Sequence, residues 1–125
     1  MKLKDAVKLL DADVLTPDIY DENFEVNFAF GSDMMSDALM LLRTAPDKFC
    51  EHGILLTGLV TRQSIRTAEM LDFQVVLIVR GKTPNENVYQ AAKDSGIVLL
   101  TTKCSMFSAS GKLYAQGVVG ITDIK

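Results

Sequence analysis

Apolar residues recur along the chain with two different periods, and these alternate from residue 24 onward. The segment 24–30 (FEVNFAF) has an apolar residue at every second position, which is typical of a strand. Three later segments are short apolar runs bounded by glycine or polar residues, which predicts buried strands. These runs are 53–58, 75–79 and 97–102.

A segment with helical periodicity follows each predicted strand. The helices are expected at 33–43, 62–72, 85–96 and 105–117. Ser32 or Asp33 is expected to cap the first helix, because either side chain can accept from the free amides of the first turn. Gly111 should weaken the middle of the last helix by about 1 kcal/mol relative to alanine.

The two ends of the chain have less regular patterns. An N-terminal helix is predicted by four apolar residues that share a helical face. These residues are Leu3, Ala6, Val7 and Leu10. The segment 11–23 is expected to hold one short strand near Val14 and a turn around Pro17, and the segment 118–124 is expected to form a last, peripheral strand.

Strands and helices that alternate with short connections predict an α/β fold, because each parallel crossover needs a helix. We expect a three-layer α/β/α arrangement with a mostly parallel sheet of about four to six strands. The chain of 125 residues has the size of one ordinary domain, so a single domain spanning 1–125 is expected.

Charge and cysteine content narrow the environment and partners of the protein. The net charge of −3 disfavours a general nucleic-acid binder, which needs a basic surface. No apolar run approaches the roughly 20 residues of a membrane span, and the N-terminus lacks the apolar core of a signal peptide. Cys50 and Cys104 are expected to be free thiols, so we expect a cytoplasmic protein that does not contact membranes.

Polar and basic residues follow each predicted strand. Parallel strands end at a common edge of the sheet, where open α/β folds bind ligands, so these residues are candidates for one site. The candidate ligand-binding residues are Ser32, Asp33, Thr57, Gly58, Arg62, Arg80 and Lys103. Lys82 follows Arg80 at the same edge, and the basic residues predict an anionic ligand. The alternative is an edge without a ligand, since ordinary strand-to-helix turns require the same glycines and hydroxyl residues.

Other familiar chemistry has less support in the sequence. Neither a G-x-x-x-x-G-K-[ST] P-loop nor a G-x-G-x-x-G motif is present. Cys50 and His52 offer two metal ligands where zinc sites use three or four, so we expect no metal site and a solvated His52. Asp33 and Asp37 stand four residues apart on a predicted helix. A solvated charge pair is favoured there over a Mg²⁺ or acid–base site.

Five methionines fall mostly at predicted helical positions. They are Met34, Met35, Met40, Met70 and Met106. We expect these side chains to fill the core, with an adaptable dimer surface as the alternative.

Three blocks of sequence resemble the DRTGG domain family. They are GSDMMSDALMLL (31–42), LLTGLVTRQSIRTAEMLDFQVVLIVRGKTP (55–84) and GIVLLTTKCSMFSASGKLY (96–114). The likeness extends from about residue 3 to residue 117 and is greatest to free-standing, single-domain bacterial members. In place of the Asp-Arg and Thr-Gly-Gly of many members, this chain has Thr61-Arg62 and Arg80-Gly81-Lys82.

The resemblance implies a fold similar to the amino-terminal domain of HPr kinase/phosphorylase, without the P-loop domain that carries kinase chemistry. It also implies an adenine nucleotide as the ligand class, and the gained basic residues predict a more anionic ligand. We therefore expect a non-enzymatic regulatory or ligand-sensing module that needs no cofactor and forms a homodimer. The alternatives are a protein-interaction adaptor in a sensor or redox-enzyme assembly, and a small metal-assisted enzyme using Asp33 or Asp37.

Overall fold

Five strands form one sheet in a computed structural model that describes residues 1–124. The strand order is β1-β5-β4-β3-β2, with β2 to β5 parallel and β1 antiparallel to β5. The strands are β1 (Asp13–Val14), β2 (Phe28–Gly31), β3 (Gly53–Thr57), β4 (Val75–Ile78) and β5 (Val98–Thr101). The predicted mostly parallel sheet is therefore confirmed.

Helices cover both faces of this sheet, which confirms the three-layer arrangement. They are α1 (Leu3–Leu9), α2 (Met35–Leu42), α3 (Asp47–Glu51), α4 (Arg62–Met70), α5 (Glu86–Ser95) and α6 (Met106–Ala115). One core lies between the sheet and α1 with α6, and the other between the sheet and α2 to α5. Neighbouring residues of one strand face opposite cores: Leu56 packs in the first and Leu55 in the second.

The segment after α1 folds as its residues predict. Val14 lies in β1, and Pro17 opens a 3₁₀ turn (Pro17–Ile19). The buried Thr16 hydroxyl accepts from the amide of Leu99 at 3.0 Å, and the amide of Leu15 donates to the Leu99 carbonyl at 2.8 Å. These bonds attach the N-terminal segment to the edge of β5.

The structure corrects the expected elements at three places. The predicted strand 24–30 is regular only over Phe28–Gly31. The helix α3 was not expected, and it occupies the connection before β3. The last predicted strand is wrong: in 118–124 only Val119 makes a single bridge to β2, and the chain then curls into a 3₁₀ turn (Ile121–Asp123). The Asp123 carboxylate takes the Gly120 amide at 2.9 Å, which favours this turn over an extended strand.

Most of the expected methionine packing is also wrong. Met35 is buried, and Met106 packs partly against the first core. By contrast, Met34, Met40 and Met70 are 58%, 69% and 72% exposed. Helical spacing indicates which residues share a face, and it does not decide whether a second apolar face is covered.

No helix within residues 1–124 has both the length and the apolar composition that a membrane crossing requires.

Replacing Gly111 by alanine should stabilise the protein. Gly111 lies inside α6, and no heavy atom outside its own helix turn lies within 4 Å of the place where a Cβ would stand. The alanine should therefore add roughly 1 kcal/mol to the free energy of unfolding, or about 4 °C in melting temperature. Gly53→Ala is the matched control, because its Cβ would collide with the backbone carbonyl oxygen of Phe49. Thermal unfolding should show a gain for the first and a loss for the second; a loss for both would contradict the packing described for α6.

Candidate functional site

The loops that follow β2, β3 and β4 meet at the carboxyl edge of the sheet. They bring together Asp33, Gly58, Arg80 and Lys82, and we call this group the edge cluster. The four residues come from three different strand ends, as expected for a sheet whose neighbouring strands are parallel. Three members are candidates from the sequence, and Lys82 is the additional one.

The Asp33 carboxylate connects the edge cluster. One of its oxygens accepts from the Gly58 amide at 2.6 Å, and the other lies 3.6 Å from an Arg80 guanidinium nitrogen. The side chains of Asp33 and Arg80 are 53% and 48% exposed, so water screens their ion pair strongly. The expected capping role is wrong for Asp33 and for Ser32, because α2 begins after Met34 without a side-chain cap.

Gly58 lets the Arg80 side chain lie against the backbone. A Cβ on Gly58 would overlap the guanidinium group, so a residue with a side chain would displace Arg80. The Lys82 ammonium donates to the Gly58 carbonyl at 2.9 Å. Two cations and one backbone amide donor thus surround the end of β3.

Arg80 has an unusual backbone conformation. Arg80 and Gly81 have φ angles of 67° and 69°, in the left-handed region that residues with a Cβ rarely adopt. Their amides donate to the carbonyls of Cys104 and Thr102, each at 2.8 Å. The loop after β5 therefore holds the loop after β4 in place and offsets a strain on the order of 1 kcal/mol. Strain of this kind, at the sheet edge where open α/β folds bind ligands, favours a functional role for Arg80.

The remaining predicted site residues lie elsewhere or have local roles. Ser32 exchanges hydrogen bonds with the backbone of Met34, and the buried Thr57 hydroxyl accepts from the Leu59 amide at 3.0 Å. Lys103 lines a neighbouring cavity of about 320 Å³. This cavity is also lined by Asp11 and Asp13, which sequence analysis missed because the antiparallel β1 brings them to the edge.

Arg62 does not line the edge cluster. It lies at the start of α4, whose cap is the Thr61 hydroxyl accepting from the Ser64 amide at 3.1 Å. Its side chain lines a separate groove of about 460 Å³ between α4 and α5, shared with Arg66, Glu69 and Asp94. The structure therefore divides the predicted basic edge into two regions.

The opposite end of the sheet carries the cysteine and histidine considered as metal ligands. His52 ends α3, is exposed, and stacks on Phe24 with ring centroids 6.1 Å apart. Burial raises the pKa of the Cys50 thiol to about 11, and the charges of Asp72 and Glu51 add to this shift. Cys50 is therefore protonated at neutral pH, which makes it a poor nucleophile. Within residues 1–124, no group of three or more histidine, cysteine, aspartate or glutamate side chains could hold a metal ion.

The expected placement of Asp33 and Asp37 on one helix is wrong. The two were expected on one face of a helix, but Asp33 lies two residues before α2 while Asp37 lies in its first turn. The Asp33 carboxylate is directed to Gly58 and Arg80 instead.

Comparison with known proteins supports the fold. No protein-family profile and no curated protein matches the sequence. Among solved structures, the chain is similar to the CBS and DRTGG domains of the regulatory region of a Clostridium perfringens pyrophosphatase, complexed with its activator, diadenosine tetraphosphate. The TM-score is 0.63 at 18% identity, and the match covers 90% of this chain and 45% of that chain. The chain thus spans less than half the length of this neighbour, and an identity this low establishes the fold alone.

The two cysteines should differ in reactivity. Iodoacetamide at pH 8 should modify the partly exposed Cys104 first, because a thiol with a pKa of about 11 is only about one part in a thousand thiolate at that pH. Labelling of Cys50 should rise as the pH approaches 11. Mass spectrometry of tryptic peptides measures both sites, and the unfolded protein serves as the control in which they should react alike. Equal rates in the folded protein would contradict the described burial of Cys50.

Proposed function

We propose that this chain is a non-enzymatic regulatory module of the DRTGG type that binds an anionic small molecule at the edge cluster. The observation that carries the proposal is the Asp33 carboxylate, which lies between the Gly58 amide and the Arg80 guanidinium. An anionic oxygen at this place meets a backbone donor and a cation together. Phosphate and carboxylate groups have this requirement in common.

The basic residues around the edge cluster favour a ligand that carries more than one negative charge. Lys82 and Lys103 lie on the loops after β4 and β5, and the Arg80-Gly81 turn adjoins the cavity that Lys103 lines. Asp11 and Asp13 also line that cavity, and β1, which carries Asp13, lies on the opposite side of β5 from β4. Their carboxylates are acceptors suited to hydroxyl groups of a ligand. A ligand with phosphates near the lysines and hydroxyl groups near the two aspartates fits this distribution of charges.

An adenine nucleotide is the ligand class that we favour. The three sequence blocks that resemble DRTGG domains support this class, and so does the fold shared with a regulatory region whose activator is diadenosine tetraphosphate. The non-enzymatic role is supported by three of the four residues of the edge cluster, since the guanidinium of Arg80, the ammonium of Lys82 and the amide of Gly58 bind anions rather than transfer protons. The fourth group, the Asp33 carboxylate, already contacts Gly58 and Arg80.

Arg80 should be required for binding and dispensable for folding. Thermal-shift measurements with ATP and pyrophosphate come first, and a ligand at about 100 times its Kd should add roughly 2.7 kcal/mol to the free energy of unfolding. Arg80→Gly should lower the affinity of the better ligand at least tenfold, or roughly 1.4 kcal/mol. It should leave stability equal or higher, because glycine relieves the left-handed strain while the lost surface ion pair contributes about 0–1 kcal/mol.

Arg62→Ala is the matched control for this prediction. It removes the same charge from the separate groove between α4 and α5. The affinity of this variant by isothermal titration calorimetry should stay within about twofold of the wild-type value, because an exposed charge outside the edge cluster contributes little at physiological salt. Equal losses in both variants would point to a nonspecific charge effect, and unchanged affinity in both would remove the edge cluster as the site.

The second candidate function is a protein-interaction adaptor, and the exposed apolar side chains of α2 favour it. Met40 and Leu41 are 69% and 56% exposed, and Leu39 beside them is 38% exposed. Adjacent exposed apolar residues on one helix are typical of a surface that pairs with another protein. We propose that this surface forms the homodimer, with an unrelated partner as the alternative.

Light scattering should give twice the chain mass of 13.7 kDa at high micromolar concentration. Met40→Glu should shift the protein toward the monomer, because a carboxylate buried in an apolar interface is unfavourable. The exposed Glu69→Gln on α4 is a control that should leave the mass unchanged. A monomeric wild-type protein would contradict the dimer.

A further inference from the structure

Asp33 already contacts the backbone amide and the guanidinium that the proposed function assigns to a ligand. Its carboxylate accepts from the Gly58 amide at 2.6 Å and lies 3.6 Å from Arg80. A phosphate oxygen at the same place would need the same hydrogen and the same guanidinium. It would also lie next to a second anion, which repels it.

We propose that Asp33 is an internal competitor for the anion site, so that a ligand binds by displacing its carboxylate from Gly58 and Arg80. This inference rests on the proposed function and adds a regulation of the same site. It changes the expected sign of a substitution, because removing a residue that touches the site should strengthen binding.

The geometry makes Asp33 suitable for displacement. Its side chain and that of Arg80 are each about half exposed, so a released carboxylate can be hydrated by water. The 3.6 Å ion pair is longer than a direct charge-assisted hydrogen bond. The competitor is therefore held mainly by one bond, from Gly58.

Releasing Asp33 would leave the neighbouring turn in place. The Ser32 hydroxyl accepts from the Met34 amide at 3.1 Å and donates to the Met34 carbonyl at 3.0 Å. The Ser32 amide donates to the Leu56 carbonyl at 3.0 Å. These bonds do not involve the Asp33 side chain, so it can turn outward while the backbone keeps its path into α2.

Asp33 is the acidic member of the edge cluster, and it opposes the positive charges of Arg80 and Lys82. Lys82 donates to the Gly58 carbonyl, and its own carbonyl accepts from the Thr101 hydroxyl at 2.8 Å. Among the residues that the structure describes, Asp33 is the one carboxylate that forms an ion pair with Arg80. A phosphate with two or more negative charges can satisfy Arg80 and Lys82 together, which a single carboxylate on a short side chain does not.

The test compares pyrophosphate affinity in Asp33→Ala and Asp37→Asn by calorimetry at constant ionic strength. Both variants lose one negative charge, and the exposed Asp37 in α2 makes none of the contacts of the edge cluster. Asp33→Ala should tighten binding roughly three- to tenfold. Asp37→Asn should change it less than about twofold, since an exposed charge is screened by salt.

A second measurement follows the competitor directly. In amide spectra of the wild-type protein, the Gly58 resonance should shift on saturation with pyrophosphate, because its acceptor changes from carboxylate to phosphate. The same resonance should already be shifted in Asp33→Ala before pyrophosphate is added. A simple gain in long-range charge attraction would not produce this second shift.

The outcomes separate the competitor from the proposed function. Equal or weaker binding in Asp33→Ala, while Arg80→Gly abolishes binding, overturns the competitor and leaves the anion site standing. An unmoved Gly58 amide on saturation places pyrophosphate elsewhere and overturns both. Absence of binding of both pyrophosphate and ATP, in the wild-type protein and in Asp33→Ala, also overturns both.

Discussion

The three inner strands β3, β4 and β5 bury every one of their side chains, and the rest of the structure depends on this burial. Strands covered on both faces need a helical layer on each side, and each crossover helix returns the chain to the same end of the sheet. The chain therefore leaves these three strands at one edge. The connections at that edge lead into crossover helices rather than into tight hairpins, so they are long enough to carry polar residues.

Hydrogen bonds between these loops determine the shape of the edge cluster. The carbonyls of Thr102 and Cys104 hold the amides of Gly81 and Arg80, and the Asp33 carboxylate holds the amide of Gly58. Each loop is thus oriented by its neighbour as well as by its own strand. Arg80 keeps a left-handed conformation because this neighbouring loop supplies its partners, and its guanidinium consequently lies over Gly58.

The elements with a strong local pattern could be predicted from the sequence. The runs that form β3, β4 and β5 are continuously apolar, and the helices that begin near Arg62, Asn85 and Ser105 have side chains that cap them locally. The strand predicted at 118–124 was wrong because the conformation of this segment depends on one contact. The Asp123 carboxylate accepts from the Gly120 amide and stabilises a turn in place of an extended strand. The spacing of apolar residues does not indicate such a hydrogen bond.

The meeting of these loops at one edge could be predicted more accurately than the contacts between them. The common edge follows from parallel topology, so Asp33, Gly58 and Arg80 could be assigned to it. Their mutual contacts depend on side-chain directions across 25 residues of sequence, as in the bond from Gly58 to Asp33. Arg62 is a second example. Its place after β3 in the sequence predicts that it lies at the edge, yet its side chain lines the groove between α4 and α5.

The strand order also has a consequence for the path of folding. The strands β2 to β5 lie side by side in the order of the sequence, so each pairing needs only the closure of one helical connection. The pairing of β1 with β5 is different, since it joins Asp13 to Thr101 across most of the chain. Contacts of such long sequence separation form slowly because they carry the largest loss of chain entropy. The N-terminal segment should therefore be the last to dock, completing the β5 edge after the parallel sheet has assembled.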